Sequence, residues 1–173
     1  MSETINICQS CGMPLNAPGD RGTESNGDES PYYCRYCYQR GAFTEPDATI
    51  DTMALRGSEM MSTMFEIPLD RAKGFVSQQL RPLLRWSGRL VPTCGSCGMP
   101  LLEEGDAGTE ADGSKSARYC THCYRDGAFA QPDLTRDAMI EQYAPLLAAE
   151  LGMPQDRAKA MVTAFTATLP RWR

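Results

Sequence analysis

Apolar residues recur at helical spacing in two stretches, and each stretch has a counterpart 86 residues away. Met139, Ile140, Tyr143, Leu146, Leu147 and Leu151 form one such series, and Met53, Met60, Met61 and Phe65 occupy matching positions. Ahead of each stands Pro-Asp-x-Thr-x-Asp, which predicts Thr49 and Thr135 as N-caps with Asp51 and Asp137 in the favourable first turn. Pro145 is expected to kink or interrupt the later helix. A second helix is predicted after Pro68 and after Pro154, each suited to the first helical position. Its apolar face reads Ala72, Phe75, Val76, Leu80 and Leu83 in one copy, and Ala158, Met161, Val162, Phe165 and Leu169 in the other. These helices should end near Pro82 and Pro170, and Trp86 and Trp172 then close the pattern.

Upstream of each helical pair the chain is polar, and turn signals replace periodicity. Pro18-Gly-Asp-Arg-Gly22 and Asn26-Gly27 lie between Cys11 and Cys34, and Asp112-Gly113 is the counterpart in the second copy. Asn-Gly and Asp-Gly mark tight hairpin turns, so short strands are expected on either side, ending at Tyr33-Cys34 and Tyr119-Cys120. Such strands are too short and polar to hold without a further crosslink.

The offset of 86 extends through the whole pattern. Cys-Gly-Met-Pro-Leu at 11–15 recurs at 97–101, Gly-Thr-Glu at 22–24 recurs at 108–110, and Gly-Ala-Phe at 41–43 recurs at 127–129. Aligning 8–87 with 94–173 needs no gap and gives 35 identities in 80 positions. The chain is therefore read as a tandem duplication, with domains 1–87 and 88–173. Each is expected to be a small metal-stabilised α+β unit, a short β-hairpin region followed by a C-terminal helical pair.

Composition adds one decisive feature. The 173 residues include eight cysteines and one histidine, and every cysteine falls in a Cys-x-x-Cys pair: Cys8/Cys11, Cys34/Cys37, Cys94/Cys97 and Cys120/Cys123. The opening residues lack a basic region and an apolar signal core, which argues against a secreted disulfide framework and for a cytoplasmic protein. No βαβ setting suits thioredoxin-type chemistry. Haem attachment needs histidine after the second cysteine, where Gly12, Tyr38, Gly98 and Tyr124 stand instead. Metal binding by four thiolates fits, because a two-residue spacer lets one tight turn present two sulfurs to one ion. Gly12 and Gly98 ease that turn. Zn²⁺ is the expected ion and ferric iron in a rubredoxin-like site the competitor, disfavoured because the second knuckles lack the usual glycine. Each copy carries a complete set, which predicts two ions: one on Cys8, Cys11, Cys34 and Cys37, the other on Cys94, Cys97, Cys120 and Cys123. His122 has Tyr36 as its counterpart and is read as a surface residue of its knuckle.

Cys-x-x-Cys-Gly-Met-Pro-Leu, Gly-Thr-Glu-x-x-Gly-x-x-Ser and Tyr-Cys-x-x-Cys-Tyr-x-x-Gly-Ala-Phe together resemble a bacterial family of zinc-ribbon domains. The resemblance covers about 8–86 and 94–172, whereas family members usually carry one unit. It implies a zinc-ribbon fold with the eight cysteines as ligands and supplies no activity.

Charge bears on partners. Residues 1–87 carry 8 basic and 11 acidic side chains, net −3, and residues 88–173 carry 9 and 11, net −2. Neither half has a basic run, which argues against nucleic acid as the partner. No apolar run is long enough to span a membrane. One unrepeated histidine and scattered acids form no acid–base or nucleophile set, so no enzyme is expected. The favoured function is a non-catalytic protein-interaction or regulatory adaptor; a redox- or metal-responsive zinc–thiolate switch is the alternative, and a nucleic-acid-binding ribbon comes third. The Gly-Thr-Glu segments are read as shaping the ribbon, the terminal tryptophans as packing on their own cores, and the ten methionines as largely core residues.

Overall fold

A computed structural model describes residues 6–173. The chain divides into two compact units, one ending at Leu90 and the other running Val91–Arg173.

In the first unit, β1 (Arg21–Thr23) and β2 (Glu29–Cys34) form an antiparallel hairpin with Arg21 opposite Cys34 and Thr23 opposite Glu29. The turn between them is closed by Glu24 and Asp28 and uses Gly27 at φ 90°, the left-handed conformation that the Asn-Gly pair supplies. A second, smaller hairpin follows, β3 (Tyr38–Gln39) with β4 (Ala42–Phe43), around Arg40-Gly41, both at positive φ. Then come α1 (Ile50–Phe65), α2 (Leu69–Leu80) and a single turn, α3 (Leu84–Ser87).

The second unit repeats this order. β5 (Ala107–Thr109) pairs with β6 (Lys115–Cys120), and β7 (Tyr124–Arg125) pairs with β8 (Ala128–Phe129) around Asp126-Gly127. Helices α4 (Arg136–Leu151) and α5 (Gln155–Thr166) follow, and a 3-10 turn at Pro170–Trp172 stands where α3 does in the first unit.

Helix starts follow the sequence chemistry. Thr49 and Thr135 accept the N–H of Thr52 and Ala138, and Asp51 and Asp137 sit in the first turns. Thr52 also returns its hydroxyl to the Thr49 N–H, completing a capping box. Three expectations need correction. Pro68 and Pro154 stand at the N-cap of α2 and α5 rather than at the first helical residue. Of the two effects expected at Pro145, interruption does not occur, because α4 runs through it to Leu151. Finally, small residues share the buried side of the first helix, which the predicted apolar series supplies only in part. Ala54 and Ser58 are buried on α1 while Met60 is exposed, and Ala144 and Ala148 join Met139, Ile140 and Leu151 on α4 while Tyr143 and Leu146 are exposed. Small side chains let the paired helices approach closely, and a Cβ added to Gly57 would lie 2.9 Å from Val76 Cγ1.

The apolar interior of the first unit has two adjoining parts. Cys8, Leu15, Cys34 and Cys37 form one, and Ala54, Val76, Leu80 and Leu83 form the other, with Met53 packed against both. Met53 thus joins the ribbon to the helical core, and Ile7 of the ribbon also packs against the helical cluster. In units this small, such thin cores rarely suffice alone, and a structural metal commonly adds the missing stability.

Candidate metal centres

The first Cys-x-x-Cys of each unit lies in a tight turn. Gly12 N–H donates to the Cys8 carbonyl at 2.8 Å, and Gly98 N–H to the Cys94 carbonyl at 2.7 Å. Both glycines hold φ near +77°, where other residues are strained. The second Cys-x-x-Cys follows directly from the long strand: Cys34 and Cys120 end β2 and β6, and Cys37 and Cys123 lie in the turns leading to β3 and β7.

These turns bring the sulfurs of Cys8, Cys11, Cys34 and Cys37 within 4.8 Å of one another, and likewise those of Cys94, Cys97, Cys120 and Cys123. Cys11 and Cys34 are 3.8 Å apart at sulfur, Cys97 and Cys120 3.7 Å. Four thiolates at ~2.3 Å from one tetrahedral ion would be separated by about 3.8 Å. The donor set therefore fits zinc in spacing as well as chemistry. Cys8 and Cys94 are fully buried and accept backbone N–H groups of Cys34 and Cys120, each at 3.2 Å, which spreads thiolate charge into the ribbon.

Crowding four thiols has a direct protonation consequence. Hydrogen bonds from Cys11, then Cys34 and Cys37, hold the Cys8 thiol far below the ordinary thiol range. Those from Cys123 and Cys97 do the same for Cys94. Cys34 is lowered to about 7, first by its bond from Cys11. The protons then stay on the neighbours: Cys11 is pushed far up, first by its bond with Cys34, and Cys123 is raised to about 12, first by its bond with Cys94. A dication replacing those protons removes the conflict among the sulfurs, so binding releases protons and weakens as pH falls.

Among the described residues no histidine, aspartate or glutamate joins either group. His122 is exposed in its knuckle, as its tyrosine counterpart implied. Closed four-sulfur sets of this kind serve as structural crosslinks, each tying the first knuckle to the end of the ribbon hairpin.

The other repeated motifs support this frame. A Cβ on Gly22 would lie 2.1 Å from the Tyr38 carbonyl oxygen, and one on Gly108 would lie 2.2 Å from that of Tyr124. Only glycine lets the two hairpins approach this closely. Thr23 and Thr109 accept the N–H of Arg40 and Asp126 at the tip of the small hairpin, and Tyr124 donates to Glu110. The Gly-Thr-Glu segments thus shape the ribbon. Tyr33, Tyr38 and Phe43 form an aromatic cluster with centroids 5.0 to 5.3 Å apart, matched by Tyr119, Tyr124 and Phe129. The small hairpin that carries two of the three rings in each unit is not among the elements the sequence predicts, although Asp126-Gly127 is itself a hairpin signal.

Two successive hairpin-and-helix units, each with a closed cysteine tetrad, define a tandem zinc-ribbon protein. The family described as "Putative zinc ribbon domain" matches the chain twice, over residues 7–87 and 93–173, and the chain belongs to that family. No curated protein and no solved structure matches it.

Proposed function

We propose that the protein is a cytoplasmic, non-catalytic adaptor in which two zinc-stabilised units present similar surfaces to a protein partner. The observation that carries this reading is the pair of closed tetrads, which leave no open coordination position for catalysis, in a chain that duplicates its whole unit. Two similar units raise avidity for a partner that offers two sites. The acidic balance of both halves disfavours nucleic acid, and no helix among the described residues is long and apolar enough to cross a membrane.

The test is a pull-down with the zinc-loaded chain beside a Cys34→Ala, Cys120→Ala variant. A partner held by the first and lost by the second supports the adaptor; partners held equally by both contradict it. One observation favours a second reading, a redox-responsive switch: Cys11, Cys97 and Cys123 are only partly buried, and oxidation of thiolates follows exposure. Zinc release and loss of helix at mild peroxide, reversed by reductant, would support the switch, and thiols inert under those conditions would dismiss it.

A further inference from the structure

Gln9 and Ser10 are the residues between the first two cysteines, so whatever holds them sets the angle at which both sulfurs are presented. The Gln9 N–H donates to the Tyr32 carbonyl at 2.7 Å, and further partners come from 75 or 76 residues along the chain. The Arg85 N–H donates to the Gln9 carbonyl at 3.1 Å, and the Trp86 indole N–H to the Ser10 carbonyl at 2.7 Å. The Arg85 guanidinium spans two carriers: it donates to Ser10 Oγ at 3.1 Å and to the Glu45 carbonyl at 2.6 Å, while lying over the Phe43 ring at 4.0 Å.

The second unit repeats each contact. Arg171 N–H donates to the Gly95 carbonyl at 3.0 Å, and the Trp172 indole to the Ser96 carbonyl at 2.7 Å. The Arg171 guanidinium donates to Ser96 Oγ at 3.1 Å and to the Gln131 carbonyl at 2.6 Å, and lies over Phe129 at 3.9 Å. Ser10 and Ser96 are buried, so loss of these donors strands polar groups inside the knuckle.

We propose that each Arg-Trp pair is a positioning latch on its own metal knuckle, so that metal loading and docking of the unit's C-terminal segment are one coupled event. The inference rests on the zinc reading of the tetrads. Latched, the peptide between the two cysteines has its serine carbonyl and hydroxyl both fixed, and the sulfurs keep the spacing an ion requires. Unlatched, the knuckle retains its glycine turn but loses the arms that tie it to the aromatic cluster and the helices. Coupling of this kind is reciprocal: the factor by which zinc favours docking is the factor by which docking favours zinc.

The chain contains two tryptophans, one in each latch, so fluorescence reports each latch separately. In a Trp172→Phe chain under reductant, chelation of zinc should red-shift Trp86 emission. In an Arg85→Gln chain, chelator competition should show one of the two zinc sites weakened about tenfold, the low end for outer-sphere partners. The other site should be unchanged and serves as an internal control. The cobalt-substituted Arg85→Gln chain should also show an altered ligand-field spectrum at one site, which a remote loss of stability would not produce. Unchanged Trp86 emission on chelation overturns the latch whatever the variant does, and so does unchanged affinity at both sites in a folded Arg85→Gln chain. A wild-type chain that fails to bind two zinc ions overturns the zinc reading itself, and the latch with it.

Discussion

The Cys34 N–H reaches Cys8 Sγ at 3.2 Å, and the Cys120 N–H reaches Cys94 Sγ at the same distance. The first helix of each unit keeps its buried positions but not its residues. Between residues 54 and 67 not one position is identical to its counterpart, and the buried contacts are made differently. Ile50 at the start of α1 packs against the cluster containing Leu80. At the same two positions the second unit has Arg136 and Thr166, joined by a hydrogen bond of 3.1 Å, with the guanidinium also donating to the Thr163 carbonyl. Two apolar positions in one copy are a hydrogen-bonded polar pair in the other, with the helices still paired. The metal frame tolerates one solution and the helical pair several. A thiolate cluster fixes sulfur positions to tenths of an ångström, whereas a helix interface needs only a filled volume and satisfied polar groups.

The largest effect should come from breaking one frame and sparing the other. Cys34→Ala should abolish folding of the first unit, because binding energy for a structural zinc is on the order of 10 kcal/mol and is folding energy. Hydrogen exchange should show amides of 6–90 unprotected and those of 91–173 unchanged, and Cys120→Ala should give the reverse pattern. Next, Gly22→Ala and Gly108→Ala should each cost at least ~3 kcal/mol, since the added Cβ meets a backbone carbonyl that cannot move aside. Thermal unfolding of the zinc-loaded chain would read both, and a small effect in either would mean that the hairpins slide apart readily.

The exchanged helix pair offers a finer test. Ile50→Arg alone should destabilise the first unit by about 2 kcal/mol, through lost apolar burial and a charge without its hydroxyl partner. Leu80 is itself buried, so Leu80→Thr is costly alone, but it should cost about 1 kcal/mol less in the Ile50→Arg chain than in the wild type, a coupling read in denaturant unfolding. Strict additivity would show that the second unit's polar pair depends on more than those two residues. Smallest of all, Thr49→Ala and Thr135→Ala should each cost about 1 kcal/mol, and Thr49 more, since it alone anchors a capping box.

Features that depend on near neighbours in the chain were legible before any coordinates. The two tetrads, the Asn26-Gly27 turn and the threonine caps each follow from local spacing, and the 86-residue offset assigned the cysteines to their sets. Long-range features were not. Nothing near Arg85 announces that its partner is Ser10, and the repeat shows Trp86 and Trp172 at matching positions without saying what they touch. The helix faces misled for a different reason. Hydrophobicity points correctly to Met139, Ile140 and Leu151 but also to Met60 and Leu146, which are exposed, whereas close helix packing buries Ala54, Ser58, Ala144 and Ala148.

The central claim is that the chain holds two independent zinc centres, one per repeat. Native mass spectrometry of the reduced, zinc-loaded protein tests it directly. The account predicts two zinc ions in the wild-type chain, one in Cys34→Ala, one in Cys120→Ala and none in the double variant. A wild-type chain holding a single ion, or a single variant that loses both, would contradict it.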